Sequence, residues 1–476
     1  MALSFFVYGS AVFNYTPSID GEFLDNFRQT IALGRWGHAL LHLWILPEPY
    51  SPFFSLLLSV MIIGASTFLL SIMLGGNHLN VIFYACLLLS VPQLAYQIQF
   101  ANQADTVAIG MLSSVSAIYI LDKWNEKTSK NYLLLVSAFL LLISLSIYQT
   151  YITYAFSIAL SCLLRNLILS KHNSKQILKL GSAYALVFIV AMVLYFALQK
   201  FIGSYFDIPD RSSEYAKHVT HWGKRSDEAI IKTIYDFIGN SFFGGLSYGL
   251  NSFCLIMIPA AWLIVSSLKE GFKNFLWSAL LVLALLISPF ILLIYFGSVQ
   301  YPRTMFALPI VFATITSLAF HSIKSNLFKC VISAILLTLS ASSVSTLFYS
   351  DAVIRQHDYI LMSKIYNDIS ENYPSIINKN KKKVFFYGSV ENKSPWVQKN
   401  SDTFGASFFS WDGGNNLRIR ALFDYYGLAR FNTAQKSEVI SFEDEIKKMN
   451  VFPSHGYIKE INGIIIIRLG DKIGLR

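Results

Sequence analysis

Residues 275–297 read FLWSALLVLALLISPFILLIYFG, a stretch without a single charged side chain. A helix of this length rises about 35 Å, enough to cross the ~30 Å hydrocarbon core of a bilayer. Similar stretches recur over the first three quarters of the chain, and a shorter one at residues 1–15 reaches about 22 Å. The pattern predicts a polytopic α-helical membrane protein with about 11 spans. They lie at residues 1–15, 52–74, 79–96, 104–121, 131–148, 152–169, 180–202, 246–267, 275–297, 303–321 and 330–349.

The composition excludes a soluble cytosolic enzyme. Of the 476 residues, 54% are hydrophobic and 14% are charged, whereas soluble domains carry about 25% charged residues. The first apolar stretch is not predicted to be a cleaved signal peptide, because no basic segment precedes it and no small-residue cleavage site follows it. The cysteines lie in or beside apolar stretches without CxxC spacing, so neither a disulfide nor a zinc site is predicted.

Lysine and arginine are concentrated in alternate loops, and basic loops face the cytoplasm. The basic loops contain Lys123 and Lys130, then Arg165 to Lys179, then Lys269 and Lys273, then Lys324 and Lys329. This bias predicts a bacterial inner-membrane protein with a cytoplasmic N-terminus. It places the loops at residues 16–52 and 204–240 and the C-terminal tail in the periplasm. The net charge of +10 is mostly loop bias and tail lysines, so it does not indicate a nucleic-acid partner.

The tail differs in character from the rest of the chain. It lacks long apolar stretches and shows a strand pattern at Val384–Gly388, short helices at Leu417–Tyr426 and Phe442–Met449, and a hairpin at Tyr457–Leu469. Asn462-Gly463 at the hairpin centre is typical of a type I′ turn. We therefore predict a transmembrane catalytic domain at residues 1–350 and a small soluble α/β domain at residues 351–476.

The first loop combines acidic and basic residues beside the predicted membrane surface. Glycosyl transfer from a polyprenyl-phosphate donor needs a carboxylate to take the proton of the acceptor hydroxyl and cations to bind the departing phosphate. Asp20 and Glu22 are candidates for the first role, and Arg28 and Arg35 for the second. In an extended segment the two carboxylates point to opposite sides, so one is expected to be the base and the other to orient it. The alternative is a loop of solvated charges with arginines that reach lipid head groups.

Other candidates lie further along the chain. Arg303, at the outer start of a span, is a candidate for the donor phosphate, with a head-group contact as the alternative. Candidates for sugar or acceptor contacts are Trp36, Tyr148, Gln149, Trp411 and Asp412. The alternatives are an interfacial aromatic anchor at residues 148–149 and a simple turn at residues 411–414.

Two further segments carry polar side chains of interest. The turn at residues 96–105 is rich in amides and aromatics but nearly uncharged, which suits sugar hydroxyls better than phosphates. His38 and His42 have the i, i+4 spacing of metal ligands on a short amphipathic helix. No third ligand is evident, so no metal site and no cofactor are predicted, and a divalent-metal requirement stays open.

Several of these motifs together resemble a known family. They are residues 17–22 (PSIDGE) with Arg28, residues 34–37 (GRWG), 147–149 (IYQ), 301–303 (YPR) and 407–413 (SFFSWDG). They are similar to motifs of the phage and prophage serotype-converting glucosyltransferases, the type II Gtr family. The resemblance implies a GT-C-like fold, undecaprenyl-phosphate glucose as donor and lipid-linked O-antigen as acceptor. The family's acidic pair is commonly two adjacent aspartates. Here Gly21 separates Asp20 from Glu22, which leaves open which of them is the base.

We therefore expect an inverting glycosyltransferase that transfers glucose on the periplasmic face and causes serotype conversion. One alternative is an O-antigen polymerase, which would more typically carry its bulk in large loops between spans. Another is a flippase or transporter of lipid-linked sugars, which would tend to show repeated halves and mid-membrane charges. The predicted spans are nearly free of charge, which counts against transport.

Overall fold

The computed structural model of the protein describes residues 1–126, 130–374, 382–391 and 394–474. The chain forms two compact units. Unit 1 comprises Met1–Phe13 and Asn26–Ser345, and unit 2 comprises Asn14–Asp25 and Thr346–Arg476. The segment Asn14–Asp25 therefore belongs with the C-terminal tail, which the sequence did not predict.

Unit 1 is helical. Its helices are α1 (Ala2–Phe13), α2 (Phe27–Ala32), α3 (Trp36–Trp44), α4 (Pro52–Gly75), α5 (His78–Leu89), α6 (Ala95–Ile98), α7 (Ala101–Glu126), α8 (Tyr132–Ile147), α9 (Tyr151–Ile168), α10 (Ser174–Tyr205), α11 (Ser212–Val219), α12 (Asp227–Phe243), α13 (Met257–Ser267), α14 (Phe272–Ile287), α15 (Ile291–Phe296) and α16 (Leu308–Phe320). The long helix α17 (Asn326–Asn372) begins in unit 1 and ends in unit 2. Helix α4 packs along α7, α7 along α8, and α5 along α16.

Several helices are consistent with a membrane protein. Within the described residues, seven helical stretches are long and apolar enough to cross a bilayer, and a bent helix pair would make an eighth. The seven are Pro52–Gly75, Ala101–Trp124, Tyr151–Ile168, Ser174–Tyr205, Phe253–Glu270, Phe272–Phe296 and Asn326–Asn372. The predicted span at 79–96 is a pair of helices, His78–Leu89 and Pro92–Ile98, bent by 47°. Three predicted spans contain shorter apolar helices of 10–17 residues: α1, α8 and α16. The count of about 11 spans stays a prediction.

Hydroxyl contacts and ion pairs link the helices of unit 1. Ser114 Oγ on α7 lies 2.5 Å from Ser144 Oγ on α8. Arg165 was expected to lie in a basic loop, but it occupies the last turn of α9. There its Nη2 lies 3.1 Å from both carboxylate oxygens of Asp122 on α7. Because Arg165 is paired and largely buried, it is a poor indicator of topology.

Unit 2 contains a mixed sheet of four strands, β1 (Lys383–Tyr387), β2 (Asn432–Thr433), β3 (Ile458–Ile461) and β4 (Ile464–Arg468), in the order β2-β1-β4-β3. Strand β1 is parallel to both β2 and β4, whereas β3 and β4 form the predicted antiparallel hairpin. Asn462 and Gly463 have φ values of 48° and 76°, as a type I′ turn requires.

Apolar layers cover both faces of this sheet. Val384 and Phe386 of β1 pack into a core that includes the C-terminal half of α17 and helix α18 (Asn416–Tyr425). Phe385 and Tyr387 pack on the opposite face, beside the short helices α19 (Lys436–Val439) and α20 (Glu443–Ile446). Ile19 of the first loop is 1% exposed in the former core. This burial fixes the position of the loop that carries Asp20 and Glu22.

Candidate functional site

Three carboxylates meet one guanidinium in unit 2, and we call Asp20, Glu22, Asp412 and Arg418 the carboxylate cluster. Nη2 of Arg418 lies 2.8 Å from Oδ1 of Asp20, and its Nη1 lies 2.5 Å from Oε1 of Glu22. Its Nε lies 3.1 Å from Oδ2 of Asp412. Charge-assisted contacts of this kind are among the strongest hydrogen bonds in proteins. Arg418 therefore holds the two predicted catalytic carboxylates in one place.

The backbone at Asp20 explains how both acidic side chains reach the same arginine. Asp20 has a φ of 76°, in the left-handed region, and the amide of Gly21 donates a 2.9 Å hydrogen bond to the carbonyl of Ser18. The segment is thus a turn. The prediction of an extended segment with opposed carboxylates is wrong, because side chains alternate only along an extended backbone and the left-handed residue Asp20 interrupts it.

Helix α18 and the segment before it position Arg418 and Asp412. The side chain of Asn415 caps α18 by accepting hydrogen bonds from the amides of Leu417 and Arg418. Asn415 also donates to Oδ2 of Asp412 over 3.4 Å. Asp412 itself has a φ of 54°. A capping residue of this kind fixes the first turn of the helix, and the first turn carries the guanidinium.

The motif at residues 407–413 is anchored on helix α17. Asp358 accepts hydrogen bonds from the Ser407 hydroxyl, over 2.5 Å, and from the Phe408 amide, over 3.0 Å. The same carboxylate pairs with Arg355 at 2.6 Å, and the Arg355 guanidinium lies 4.3 Å from the centre of the Phe408 ring. These buried contacts hold the segment that presents Asp412.

The three carboxylates of the cluster differ in exposure. The side chain of Asp20 is 50% exposed, whereas Glu22 is buried. Burial raises the pKa of the Glu22 carboxyl to about 7, although the charge of Arg418 opposes this rise. Oε2 of Glu22 has no hydrogen-bond partner among the described residues. A carboxyl that titrates near neutral pH and keeps one oxygen unbonded is suited to proton transfer.

A second cluster lies in unit 1 and combines two arginines with aromatic rings. The guanidinium carbon of Arg35 lies 4.6 Å from the centre of the Tyr148 ring. That of Arg303 lies 4.8 Å from the ring centres of both Phe100 and Tyr301. We call these five residues the arginine–aromatic cluster. In the described part of the chain, neither arginine has a carboxylate within ion-pair distance.

Tyr215 on α11 shows that the two arginines share one region of unit 1. Burial raises the pKa of the Tyr215 hydroxyl, and the positive charges of Arg35 and Arg303 both oppose this rise. Both guanidinia are thus within electrostatic range of this one hydroxyl, since such effects fall off with distance. The structure brings together two predicted phosphate-binding residues that are far apart in sequence.

The turn before Arg35 is held by Gln149 and Tyr195. The amide nitrogen of Gln149 donates to the carbonyl of Leu33 over 2.8 Å and to the Tyr195 hydroxyl over 2.9 Å. The Tyr195 hydroxyl donates to the carbonyl of Gly34 over 3.0 Å. Gly34 has a φ of 81°, and a Cβ there would lie 2.4 Å from the Tyr195 oxygen. Gln149, predicted to contact sugar, thus has its amide nitrogen engaged by the protein.

The other predicted residues are placed less favourably for their roles. Arg28 is exposed and donates to the backbone carbonyl of Asp207 over 3.0 Å. Trp36 is 9% exposed at the start of α3, with no hydrogen-bond partner for its indole nitrogen among the described residues. Trp411 is partly buried against the core of unit 2. Their sugar and phosphate roles stay predictions.

The partners of His38 and His42 on α3 were not predicted from the sequence. Nε2 of His42 lies 3.4 Å from Oδ1 of Asp105, and its Nδ1 lies 3.2 Å from Oε2 of Glu48. The second oxygen of Asp105 accepts a 2.7 Å hydrogen bond from Ser55. His38 meets the Thr106 hydroxyl at 2.7 Å. Both histidines are thus engaged by protein groups, and no cluster of three metal-ligating side chains occurs in the described ranges.

A comparison with known protein families identifies the family of the chain. The family profile described as Glucosyl transferase GtrII matches residues 9–320, about two thirds of the chain. The matched range contains Asp20, Glu22, Arg35 and Arg303, and it ends before Arg418. None of the curated proteins matches the chain significantly. The match confirms the resemblance inferred from the short motifs: the chain belongs to the GtrII glucosyl transferase family, whose activity is glucosyl transfer.

Proposed function

We propose that the protein is an inverting glucosyltransferase that uses undecaprenyl-phosphate glucose as donor and lipid-linked O-antigen as acceptor, with serotype conversion as the result. In this reaction an acceptor hydroxyl oxygen forms a bond to the anomeric carbon as the bond from that carbon to the phosphate oxygen breaks. The hydroxyl proton passes to a carboxylate, and the polyprenyl phosphate leaves with the electron pair. The reaction thus needs a base and a phosphate-binding group.

The observation that carries the proposal is the state of Glu22. Its carboxyl is buried, its pKa is raised to about 7 and its Oε2 is without a partner among the described residues. A base whose pKa lies near the working pH is ionised in a large fraction of molecules and still accepts a proton effectively. We assign the base role to Glu22. Asp20, half exposed and bound to the same guanidinium, is assigned a supporting role.

The arginine–aromatic cluster supports a phosphate ligand. Arg35 and Arg303 are partly buried, stacked on rings and without a carboxylate partner in the described residues. A desolvated cation without an internal counter-ion favours an anionic ligand. A polyprenyl phosphate gains negative charge as it leaves, so these arginines would stabilise the transition state more than the ground state.

The location is part of the same proposal. The basic loops favour a bacterial inner-membrane protein with its N-terminus in the cytoplasm and its C-terminal unit in the periplasm. Long apolar helices in unit 1 support a membrane location. A donor and an acceptor that are both linked to lipids would then reach the enzyme by diffusion in the bilayer.

The decisive experiment compares Glu22→Gln with a matched control in membranes that contain both lipid-linked substrates. Loss of a general base is expected to lower the transfer rate about 10²- to 10⁴-fold. Glu460→Gln is the control, because Glu460 lies in unit 2 and its one ion pair among the described residues is with the surface Lys382, at 2.6 Å. Transfer by Glu22→Gln at a rate near that of Glu460→Gln would refute the assignment of the base. Absence of transfer by the wild type from this donor would refute the donor.

A further inference from the structure

A small cavity in unit 1 is lined by one polar side chain and by apolar groups. Gln97 contributes the polar side chain, and the lining also includes Ile63, Met111, Tyr151 and Phe306. Gln97 is 2% exposed, and neither its amide nitrogen nor its amide oxygen has a hydrogen-bond partner in the described part of the chain. A buried amide without partners is costly, so the side chain is suited to a polar occupant of the cavity.

The cavity adjoins the arginine–aromatic cluster. The ring of Phe306, which lines the cavity, lies 6.3 Å from that of Tyr148, centre to centre. Tyr151, also in the lining, lies 6.5 Å from the same ring. Tyr148 in turn lies under the guanidinium of Arg35. Tyr148 thus contacts both Arg35 and two rings that line the cavity, so the cavity lies next to the proposed phosphate site.

A backbone hydrogen bond also connects the cavity residue Gln97 to the segment that contacts Arg303. Phe100 lies under Arg303, and its amide donates to the carbonyl of Gln97 over 3.3 Å. Gln97 lies in α6, within the bent helix pair that ends at Ile98. Gln97 is thus buried in unit 1, three residues before the ring that contacts Arg303.

The size and chemistry of the cavity limit its occupant. Its volume of about 10 Å³ corresponds to a single water-sized group. The apolar walls disfavour a charged group. The hydroxyl of a primary alcohol fits both conditions, because it is water-sized and pairs with the amide of Gln97, while its methylene carbon stays at the edge of the cavity against the apolar lining.

We infer that Gln97 binds the hydroxymethyl group of the donor hexose and makes the enzyme selective for hexoses over sugars that lack this hydroxyl. The inference rests on the proposed function, because it takes the donor phosphate to lie at Arg35 and Arg303. Gln97 is thereby a specificity-determining residue, and the group on the fifth ring carbon is the feature that it recognises.

The test uses the full-length enzyme in membranes with three polyprenyl-phosphate donors. They carry glucose, 6-deoxyglucose and xylose, which differ only at the hydroxymethyl position. The wild type is expected to prefer glucose to either analogue by about 10- to 100-fold in kcat/KM, since the analogues leave the amide without a partner. In Gln97→Leu this preference should fall to within about threefold, because no donor then gains the hydrogen bond. Gln97→Met, which also lacks the amide, replaces Gln97→Leu if the latter does not accumulate.

Gln176→Leu is the matched control. Gln176 lies exposed near the start of α10, outside the cavity lining, so its loss should leave the preference for glucose unchanged. A wild type that transfers all three sugars equally, or a Gln97→Leu enzyme that keeps the full preference, would show that the cavity holds a bound water only. A wild type that transfers glucose from no polyprenyl-phosphate donor would overturn the proposed function, and this inference with it.

Discussion

Removal of the Arg418 charge should move the pH dependence of glucosyl transfer to higher pH. In the wild type the base form of Glu22 is the ionised carboxylate, so the rate should rise with pH and level off above a pKa of about 7. Burial raises the pKa of Glu22, and the Arg418 guanidinium, whose Nη1 lies 2.5 Å from Oε1 of Glu22, lowers it. Arg418→Gln removes only the lowering by the guanidinium.

The magnitude follows from the separation of the charges. An opposite charge within about 4–6 Å shifts a carboxyl pKa by about 1–3 units, so the midpoint should rise to about 8–10. At pH 7 the ionised fraction of Glu22 would then fall from about one half to between roughly 10% and 0.1%, a loss of about 5- to 500-fold in rate. The rate should largely recover at alkaline pH.

The assay is the single-turnover rate of transfer in membranes between pH 5 and 10. Arg430→Gln is the matched control, because Arg430 lies in the same unit and pairs with Asp424 at the surface, with its side chain 77% exposed. The control should keep the wild-type midpoint. A midpoint for Arg418→Gln within half a unit of the wild type would refute the view that Arg418 tunes the base. A rate that is lost equally at every pH would assign Arg418 a purely structural role.

Three more predictions concern the arginines, stability and topology. Arg35→Ala should weaken transition-state binding by about 2–4 kcal/mol, which lowers kcat/KM about 30- to 1000-fold. Arg28 makes an exposed backbone contact, so Arg28→Ala should cost under ~1 kcal/mol. Equal losses in the two variants would contradict the assignment of the phosphate to Arg35 rather than Arg28. Because the folded-state pKa of Glu22 is raised, its contribution to stability is present below about pH 4.5 and is lost as pH rises through about 7. Between pH 4.5 and 8, the free energy of unfolding of Glu22→Gln should therefore rise by about 3 kcal/mol relative to that of the wild type. Denaturation of the purified proteins measures this difference, and a difference that does not change with pH would show that the pKa of Glu22 is not raised. A reporter active only in the periplasm should be active after Arg476 and inactive near Lys175, and an inactive C-terminal fusion would reverse the proposed orientation.

The local features of the chain were predictable because they depend on short stretches of sequence. A span requires only length and low polarity, and the long apolar helices of unit 1 lie where the hydropathy indicated. The hairpin followed from Asn462-Gly463, since few other dipeptides accept two consecutive positive φ values. The family resemblance rested on motifs of three to seven residues. Charged side chains beside an apolar stretch indicate a function, and this pattern identified Asp20, Glu22, Arg35 and Arg303 as candidates.

The partners of those residues were decided by the tertiary structure alone. Arg418 is 396 positions from Glu22 in sequence, and no local pattern indicates that helix α18 packs beside the first loop. Burial of Ile19 in the core of unit 2 fixes the loop, and the left-handed turn at Asp20 aligns both carboxylates. A pKa depends on burial and on neighbouring charges, which only the folded chain defines. The burial of the unpartnered Gln97 amide is also decided by the tertiary structure. The sequence shows only a polar residue in a polar turn, whereas the packing of α6 buries its side chain.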